Sequence, residues 1–237
     1  MINGIEILVN TAAEQISRLN CVTNNIANVN TPGFKAALFH FLEGNVAGGI
    51  NGANHAKRPA TAVDYSQGIM QKTGNVLDLA IDGKGFFAVQ TKTGVAYTKD
   101  GRFTLNNNGE LITQTGDYVL GRNGKINIKG NDILISQEGV ISVDGDELDA
   151  LKIVSFSKPA ALVKLNTGLY RNPDDLAGAK EEENARVQSG YLELSNVQAI
   201  REMVEMINIQ RTFESYQKAI QTISEQDKLS TNRIGKL

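Results

Sequence analysis

The stretch SNVQAIREMVEMINIQRTFESYQKAIQTISEQDKLSTNRI, from Ser195 to Ile234, decides the fold at the C-terminal end of the chain. It contains neither proline nor glycine, the two residues that disfavour a helix most strongly. Ser195 and Gln198 have the spacing of a capping box, which marks the start of a helix. The sequence therefore predicts one long helix, which would span about 60 Å at about 1.5 Å per residue.

The apolar residues of this stretch form two successive stripes. The first holds Val197, Ile200, Val204 and Ile207, and the second is shifted by one residue and holds Met206, Ile209, Phe213, Tyr216, Ile220 and Ile223. The other positions carry amides and hydroxyls as often as charges, which is unusual for a fully solvated face. We expect the second stripe to pack on an N-terminal helix of the same or an adjacent copy of the chain.

The N-terminal segment carries a heptad pattern. Ile5, Ala12, Leu19 and Ile26 occupy one position of the repeat, and Leu8, Gln15, Val22 and Val29 occupy the other. The stripe is narrow and the segment is rich in asparagine, which forms helices poorly. Thr31-Pro32-Gly33 then stops the helix. The pattern predicts a marginal helix that pairs with the C-terminal one in a coiled-coil-like core.

The middle of the chain is built differently, because all prolines and nearly all glycines lie between Pro32 and Gly190. Residues 32–64 show no sustained period and are interpreted as an irregular or extended connector. Beyond them, turn signals recur between short apolar segments, at Asp82-Gly83, Asp100-Gly101, Asn108-Gly109, Asn123-Gly124 and Asp144-Gly145. The predicted fold is α+β, with helices at 1–31 and 191–237 and a mainly antiparallel all-β domain at 65–190.

Composition argues against several classes of protein. The 237 residues carry a net charge of -2, which gives no electrostatic footprint for nucleic acid, and no apolar run reaches membrane-spanning length. Aromatic residues make up 6% of the chain and tryptophan is absent, which disfavours an aromatic-lined pocket. A lone cysteine, Cys21, cannot form an intrachain disulfide. The first residues do not resemble a cleavable secretory signal, so export would need another route.

Candidate chemical motifs are incomplete. Gly83-Lys84-Gly85 lacks the third glycine and following helix of a nucleotide site, and is better explained as a turn. The acidic cluster at 144–149 lacks the spacing of a calcium loop. His40 and His55 stand without a Cys/His or Ser/His/Asp arrangement around them. We therefore expect no catalytic, cofactor or metal site.

Several segments together resemble the bacterial flagellar rod and hook proteins. Asn24-Asn25-Ile26-Ala27-Asn28 followed by Thr31-Pro32-Gly33-Phe34-Lys35 is similar to the N-terminal signature of that family, which makes Asn24, Asn25, Ala27, Asn28, Thr31, Gly33 and Phe34 its motif residues here. Further likeness lies at 73–87, at 97–111 and from Gly190 to Phe213. The short connector before Ser66-Gln67-Gly68 resembles the proximal-rod branch more than the distal rod or the hook.

The resemblance implies a structural subunit of the basal-body rod with no catalytic activity. Its partners would be copies of itself, other rod proteins and the flagellar type III export apparatus, and its place would be the periplasmic rod. It also implies that both terminal helices lie in the core of a helical tube. The predicted assembly residues are therefore the two stripes Ile5, Leu8, Ala12, Leu19, Val22 and Ile26, and Met206, Ile209, Phe213, Tyr216, Ile220 and Ile223.

Two alternatives remain at this point. The first is a distal rod protein of the same family. The second, outside the family, is an extracellular β module for adhesion or carbohydrate binding that is carried on a helical stalk. A stalk needs sustained apolar heptads flanked by ion pairs, whereas the N-terminal stripe is short and flanked by amides.

Overall fold

The computed structural model describes residues 2–45, 55–166, 168–182 and 185–234. The chain is α+β, with helix α1 (Ile2–Ala27) near its N-terminus and helix α2 (Ala199–Ile234) near its C-terminus. A mainly antiparallel β domain lies between them in sequence. In the described residues, neither helix is long and apolar enough to cross a membrane.

The strands are short and follow one another closely along the chain. They are β1 (Ala37–Asn45), β2 (His55–Val63), β3 (Met70–Lys72), β4 (Leu79–Asp82), β5 (Phe86–Thr91), β6 (Gly94–Thr98), β7 (Phe103–Leu105), β8 (Leu111–Thr113), β9 (Tyr118–Gly121), β10 (Gly124–Lys125), β11 (Ile133–Ile135), β12 (Val140–Val143), β13 (Asp146–Ala150), β14 (Ile153–Phe156), β15 (Val163–Asn166), β16 (Leu169–Arg171), β17 (Ala179–Glu181), β18 (Arg186–Ser189) and β19 (Tyr191–Glu193).

The chain divides into two compact units. The helical unit consists of Met1–Ala27, Ala37–Ala62 and Gln198–Leu237, and the β unit consists of Asn28–Ala36 and Val63–Val197. Each unit is therefore made from segments that are far apart in sequence. The chain passes from one unit to the other after Ala27, after Ala36, before Val63 and after Val197.

In the helical unit, α1 contacts α2, and Arg18 forms an ion pair with Glu205 across the two helices. Strands β1 and β2 pair with each other, and β1 also contacts α1. The connector predicted at 32–64 thus contains two paired strands. Residues 46–54 lie outside the described part of the chain.

Both helices are shorter than their predicted segments. Helix α1 ends at Ala27, because the carbonyl of Asn28 accepts a hydrogen bond from the Thr31 amide (3.1 Å) in a turn that precedes Pro32. Helix α2 begins at Ala199, after a last strand and not directly after Gly190. The predicted capping box is wrong, since the Ser195 hydroxyl accepts from the Val197 amide (3.3 Å) in a turn outside the helix.

The β unit is organised around β5, which pairs with β6, β9 and β14 in a ten-stranded sheet. The main path of that sheet runs β15-β16-β6-β5-β9-β8-β7. A separate sheet of β11, β12 and β13 and the pairs β4-β18 and β3-β19 complete the unit. All strand pairs described in this unit are antiparallel, as the recurrent turn signals predict.

The turn between β12 and β13 shows why these signals work. Asp144 and Gly145 have φ angles of +53° and +96°, and they join the paired residues Val143 and Asp146. Two consecutive positive φ angles are what a tight primed turn requires. The Asp-Gly pair therefore sets the register of this hairpin.

Two apolar clusters hold the β unit together. The larger includes Leu79, Phe87, Val89, Val119 and Ile141, all of which are almost completely shielded from solvent. The smaller is aromatic: Phe86 contacts Tyr65, Phe156 and Tyr170 with ring centroids 5.4 to 5.9 Å apart. Most of the aromatic side chains of this unit are thus used to fill its interior.

Candidate functional site

The predicted assembly stripes are the covered faces of both helices in the single chain. In α1, Val22 is buried and Leu8, Ala12, Leu19 and Ile26 are partly buried. In α2, Ile209 is buried, and the remaining members of its second stripe are partly buried: Met206, Phe213, Tyr216, Ile220 and Ile223. The side chain of Ile5 lies outside the described part. The two stripes belong to helices that contact each other.

The first stripe behaves differently, apart from Val197, which precedes α2 and is buried. Ile200 is 82% exposed and Val204 is 54% exposed, and Met203 and Ile207 beside them are also exposed. On α1, Val9 and Ile16 are exposed as well. The helical unit therefore has an outer apolar strip on the first turns of α2, formed by Ile200, Met203, Val204 and Ile207, which the single chain leaves uncovered.

Asn25, one of the predicted motif residues, links the end of α1 to β1 by two hydrogen bonds. Its side-chain amide donates to the carbonyl of Ala37 (2.9 Å) and accepts from the Ala37 amide (2.8 Å). The backbone N–H and C=O groups of Ala37 are thereby both hydrogen-bonded to the buried side chain of Asn25. The neighbouring motif residues Asn24 and Ala27 are exposed, and Asn28 takes part in the turn after the helix.

The rest of the motif docks into the β unit. Gly33 donates its amide to the carbonyl of Glu193 (2.7 Å) and adopts φ +69°. A Cβ there would overlap the backbone of Lys99 and Asp100, so this position requires glycine. The adjacent Phe34 is buried against Ala36 and Val197. Thr31 is only partly buried, and its carbonyl accepts from the Phe34 amide (3.2 Å).

A buried ion cluster lies beneath this docked segment. Lys35 and Glu193 are each 1% exposed and their Nζ and Oε1 atoms are 2.5 Å apart, while Lys99, 4% exposed, places its Nζ 3.5 Å from Glu193 Oε2. Lys35 also donates to the carbonyl of Ser66 (2.6 Å), and the Gly68 amide donates to Glu193 Oε1 (2.8 Å). Three distant segments thus supply one charged cluster.

Asn196 is linked to this cluster, because its side-chain amide and Lys35 both donate to the Ser66 carbonyl. Its Oδ1 accepts from the Ala36 amide (2.8 Å), and its Nδ2 lies within hydrogen-bond distance of the Asp64 carbonyl (2.9 Å) and of the carbonyl and hydroxyl of Ser66. The Asp64 amide in turn donates to the Ala36 carbonyl (2.8 Å). We call Lys35, Lys99, Glu193 and Asn196 the hub, since they come from three separate segments of the chain and together also bind residues 64–68.

The hub carries an excess of positive charge, because two lysines face one glutamate. Burial lowers the pKa of Lys99 below its ordinary value of 10.5, and Lys35 adds to this effect, whereas Glu193 opposes it. The Gly83 carbonyl accepts a hydrogen bond from Lys99 (2.7 Å) and partly compensates for the lost hydration. Lys99 therefore releases its proton more readily than a lysine in water.

Sequence reasoning did not identify the hub. Lys35, Lys99 and Glu193 each lie inside a segment that resembles the flagellar family, and this is the signal that could have drawn attention to them. Their pairing depends on which distant strands meet, and a single sequence does not contain that information. Burial of a lysine is also unexpected from residue type alone, because lysine is almost always exposed unless it is paired.

The described residues include no group of three or more His, Cys, Asp or Glu side chains that could hold a metal ion. A groove of about 1020 Å³ in the β unit is lined in part by threonines, of which Thr91 donates its hydroxyl to the Gly94 carbonyl within its own turn (2.7 Å). Thr115 likewise donates to Asp117 in the adjacent turn (2.7 Å).

Three family models match successive parts of the chain. The model described as "Flagella basal body rod protein" matches residues 5–35, which include the N-terminal motif. The model of the "Flagellar hook protein FlgE/F/G D1 domain" matches residues 80–143, in the β unit. The model "Flagellar basal body rod FlgEFG protein C-terminal" matches residues 188–233, which contain Glu193, Asn196 and most of α2.

Full-length relatives agree with these matches. The chain is 35% identical to the flagellar basal-body rod protein FlgF of Caulobacter vibrioides, over 92% of each chain. It is 36% identical to the flagellar basal-body rod protein FlgG of Bacillus subtilis, over 88% of this chain and 90% of the relative. It is 34% identical to FlgG of Borreliella burgdorferi, over 86% and 88% of the two chains.

Proposed function

Because the chain belongs to the family of flagellar basal-body rod proteins and is a structural subunit of the flagellar basal body, we propose that it polymerises helically through its two terminal helices. Its partners in this proposal are further copies of itself and other rod proteins. The role is mechanical and involves no catalysis. The proposed place is the part of the rod that crosses the periplasm.

The outer apolar strip on α2 carries this proposal. Ile200, Met203, Val204 and Ile207 expose apolar surface along one face of a long helix. A large exposed apolar surface marks a site of association in a protein that otherwise buries such side chains. Helical assembly uses head-to-tail contacts that do not close, so each copy needs two different complementary faces. The exposed Val9 and Ile16 of α1 supply a second apolar face.

The covered stripes have a different role in the same proposal. Leu19, Val22 and Ile26 of α1, with Ile209 and Phe213 of α2, form a coiled-coil-like seam that makes the two helices act as one element. The other described stripe residues extend this seam, namely Leu8 and Ala12 of α1 and Met206, Tyr216, Ile220 and Ile223 of α2. In the polymer, neighbouring copies then cover the outer strip.

We propose further that the helices complete their folding on assembly. The narrow apolar stripe and the many asparagines of α1 make it a marginal helix by itself. Segments that order only when they bind can pass through a narrow export channel and then fold on docking. This behaviour suits passage through the flagellar type III apparatus, the proposed export partner.

The proximal rod is the position we propose for this subunit. The short connector between Phe34 and Ser66 supports it. This connector resembles that of the proximal-rod branch more than the longer connector of the distal-rod branch. FlgF and FlgG relatives have nearly equal identity to this chain, so identity does not select between them. Imaging of a tagged copy along the rod axis tests the position.

The test of assembly uses Val204→Asp in the outer strip. A carboxylate placed in a dry helix interface costs several kcal/mol, and this cost recurs in every subunit of the polymer. We expect a cell that carries only this variant to build no rods and to lose motility. Leu19→Asp and Ile26→Asp in the seam should have the same effect while the β unit keeps its native circular dichroism.

Gln210→Asp is the matched control, because Gln210 is exposed on the same helix and the charge change is identical. It should assemble normally. Normal rods from Val204→Asp, in a strain where the variant is exported at the wild-type level, would contradict the proposed role of the strip.

A further inference from the structure

We infer that Glu193 and Asn196 are positioning residues for assembly, which hold together the segments through which the β unit connects to the rest of the chain. This inference rests on the proposed assembly through the terminal helices. It assigns to two polar side chains of the β unit a role in setting where the chain leaves that unit on its way to each helix.

The chain crosses the boundary of the β unit at four points, after Ala27, after Ala36, before Val63 and after Val197. The hub binds the segments next to these crossings. Glu193 accepts from the Gly33 amide through its backbone and from Lys35 and the Gly68 amide through its carboxylate. Three segments, 33–36, 64–68 and 193–196, are held in this way.

Asn196 binds the crossings themselves. Its amide oxygen accepts from Ala36, the last residue before the chain leaves the β unit, and its amide nitrogen donates to Asp64, just after the chain returns. Val197, where the chain leaves for the last time, packs with Phe34 and Ala36, and Val29 near the first crossing packs against the same cluster. All four crossings thus meet at one group of contacts.

These contacts fix how segments 33–36, 64–68 and 193–196 are arranged, and they add little to the free energy of unfolding. A buried ion pair adds little net stability, because the loss of hydration offsets the attraction between its charges. Its hydrogen bonds nevertheless require one arrangement of the segments, since a shifted segment leaves a buried charge unpaired. The hub therefore fixes the spacing between Ala36, Asp64 and Asn196, which lie next to points where the chain leaves or re-enters the β unit.

Asn196→Ala is the main test, because it removes the bonds to Ala36 and Asp64 and leaves the charged members of the hub in place. In the purified full-length chain, we expect amide hydrogen exchange at Ala36 to accelerate at least about tenfold, with strands β5 and β9 unchanged. In cells, the number of completed rods should fall at least about tenfold, because a segment that is no longer preorganised must be ordered when the subunit docks.

The controls separate positioning from stability. The control substitutions are Ile141→Val and Val119→Ala. Ile141 and Val119 lie in the larger apolar cluster and make none of the hub contacts. The control whose melting temperature matches that of Asn196→Ala should assemble like the wild type at a temperature where both are folded. The inference is overturned if Asn196→Ala and its matched control build equal numbers of rods, whether those numbers equal the wild-type number or fall below it.

Val204→Asp in the outer strip is measured in the same experiment. If it assembles normally, the proposed role of the helices fails, and this result is independent of the hub. If Val204→Asp prevents assembly while Asn196→Ala does not, the positioning role alone is wrong. Lys35→Met provides a second hub variant, which should show the same excess loss of assembly over its own stability-matched control.

Discussion

Glu193 illustrates how much one residue can organise. Its carboxylate is shielded from water and is shared by Lys35, Lys99 and the Gly68 amide, while its backbone carbonyl accepts from Gly33. Removing one partner of such a cluster typically costs about 3–5 kcal/mol, because a buried charge is left uncompensated. The glycine at 33 and the lysine at 35 of the motif are therefore explained by contacts made with residues far along the chain.

Tyr65 gives a prediction at the same scale. Burial raises its pKa from 10.0 to about 12, so the folded state keeps a proton that the unfolded chain loses above pH 10. The stability that this group contributes is complete below pH 10 and is lost as the pH rises through about 12. Between pH 10 and about pH 12, we expect the free energy of unfolding to fall less for Tyr65→Phe than for the wild type.

Urea unfolding at about pH 8 and about pH 11 measures this difference. The pKa values of Tyr97 and Tyr170 are also raised by burial, so the variant should keep part of the alkaline loss. Lys99 acts with the opposite sign, because its lowered pKa makes the folded state more stable as the pH approaches 10.5, equally in both proteins. Parallel pH profiles for the two proteins would refute the assignment to Tyr65.

At the scale of elements, α2 presents two apolar faces with different surroundings. The second stripe is covered within the chain, whereas the outer strip at its first turns is exposed. The one-residue shift between the stripes turns the apolar face part of the way round the helix. One helix can thus contact α1 of its own chain and remain available to another copy.

Phe213 should be the most sensitive residue of the covered stripe. It is partly buried in the single chain, and a neighbouring copy in the proposed polymer would cover the rest. Truncation of a buried phenylalanine to alanine typically costs about 3–5 kcal/mol. We therefore expect Phe213→Ala to prevent rod assembly, as measured by motility and by counting rods in isolated basal bodies. Arg211→Ala changes an exposed position nearby and should assemble normally. If Phe213→Ala assembled normally and Arg211→Ala did not, the proposed seam would lie on the wrong face of α2.

At the scale of the whole molecule, the two units differ in how they are stabilised. The β unit contains a large apolar cluster, an aromatic cluster and the buried hub. The helical unit consists of two long helices and a strand pair, and a lone two-stranded pair is only marginally stable in water. The β unit is therefore expected to be the more stable part of the free subunit.

Limited proteolysis of the purified full-length chain tests this expectation. We expect protease to remove both terminal helices first and to leave a resistant core from about Val63 to Val197, which keeps β18, β19 and Glu193, because local opening is easiest where few apolar contacts must be broken. Mass spectrometry of the products locates the cuts. A free subunit that resists cleavage from end to end would show that the helices do not depend on assembly for their folding.

The sequence by itself determined the class of the fold and its sequential order. Helix type and approximate extent follow from local rules, since the breaker-free run to Ile234 and the heptads of α1 restrict the backbone wherever the segments pack. The turn at Asp144-Gly145 follows equally from the φ angles that these two residues tolerate. The family was also recognisable from motifs, whose residue order is preserved along the chain.

Only the tertiary structure decided where those elements begin and what the motif residues do. Helix α2 starts at Ala199 and not at the predicted cap, because Asn196 and Val197 are held by Ala36, Asp64 and Phe34. The hub joins Lys35 to Glu193 across most of the chain. The energy of a buried charge depends on the partners that surround it in space, and neither periodicity nor composition records which distant segments those partners come from.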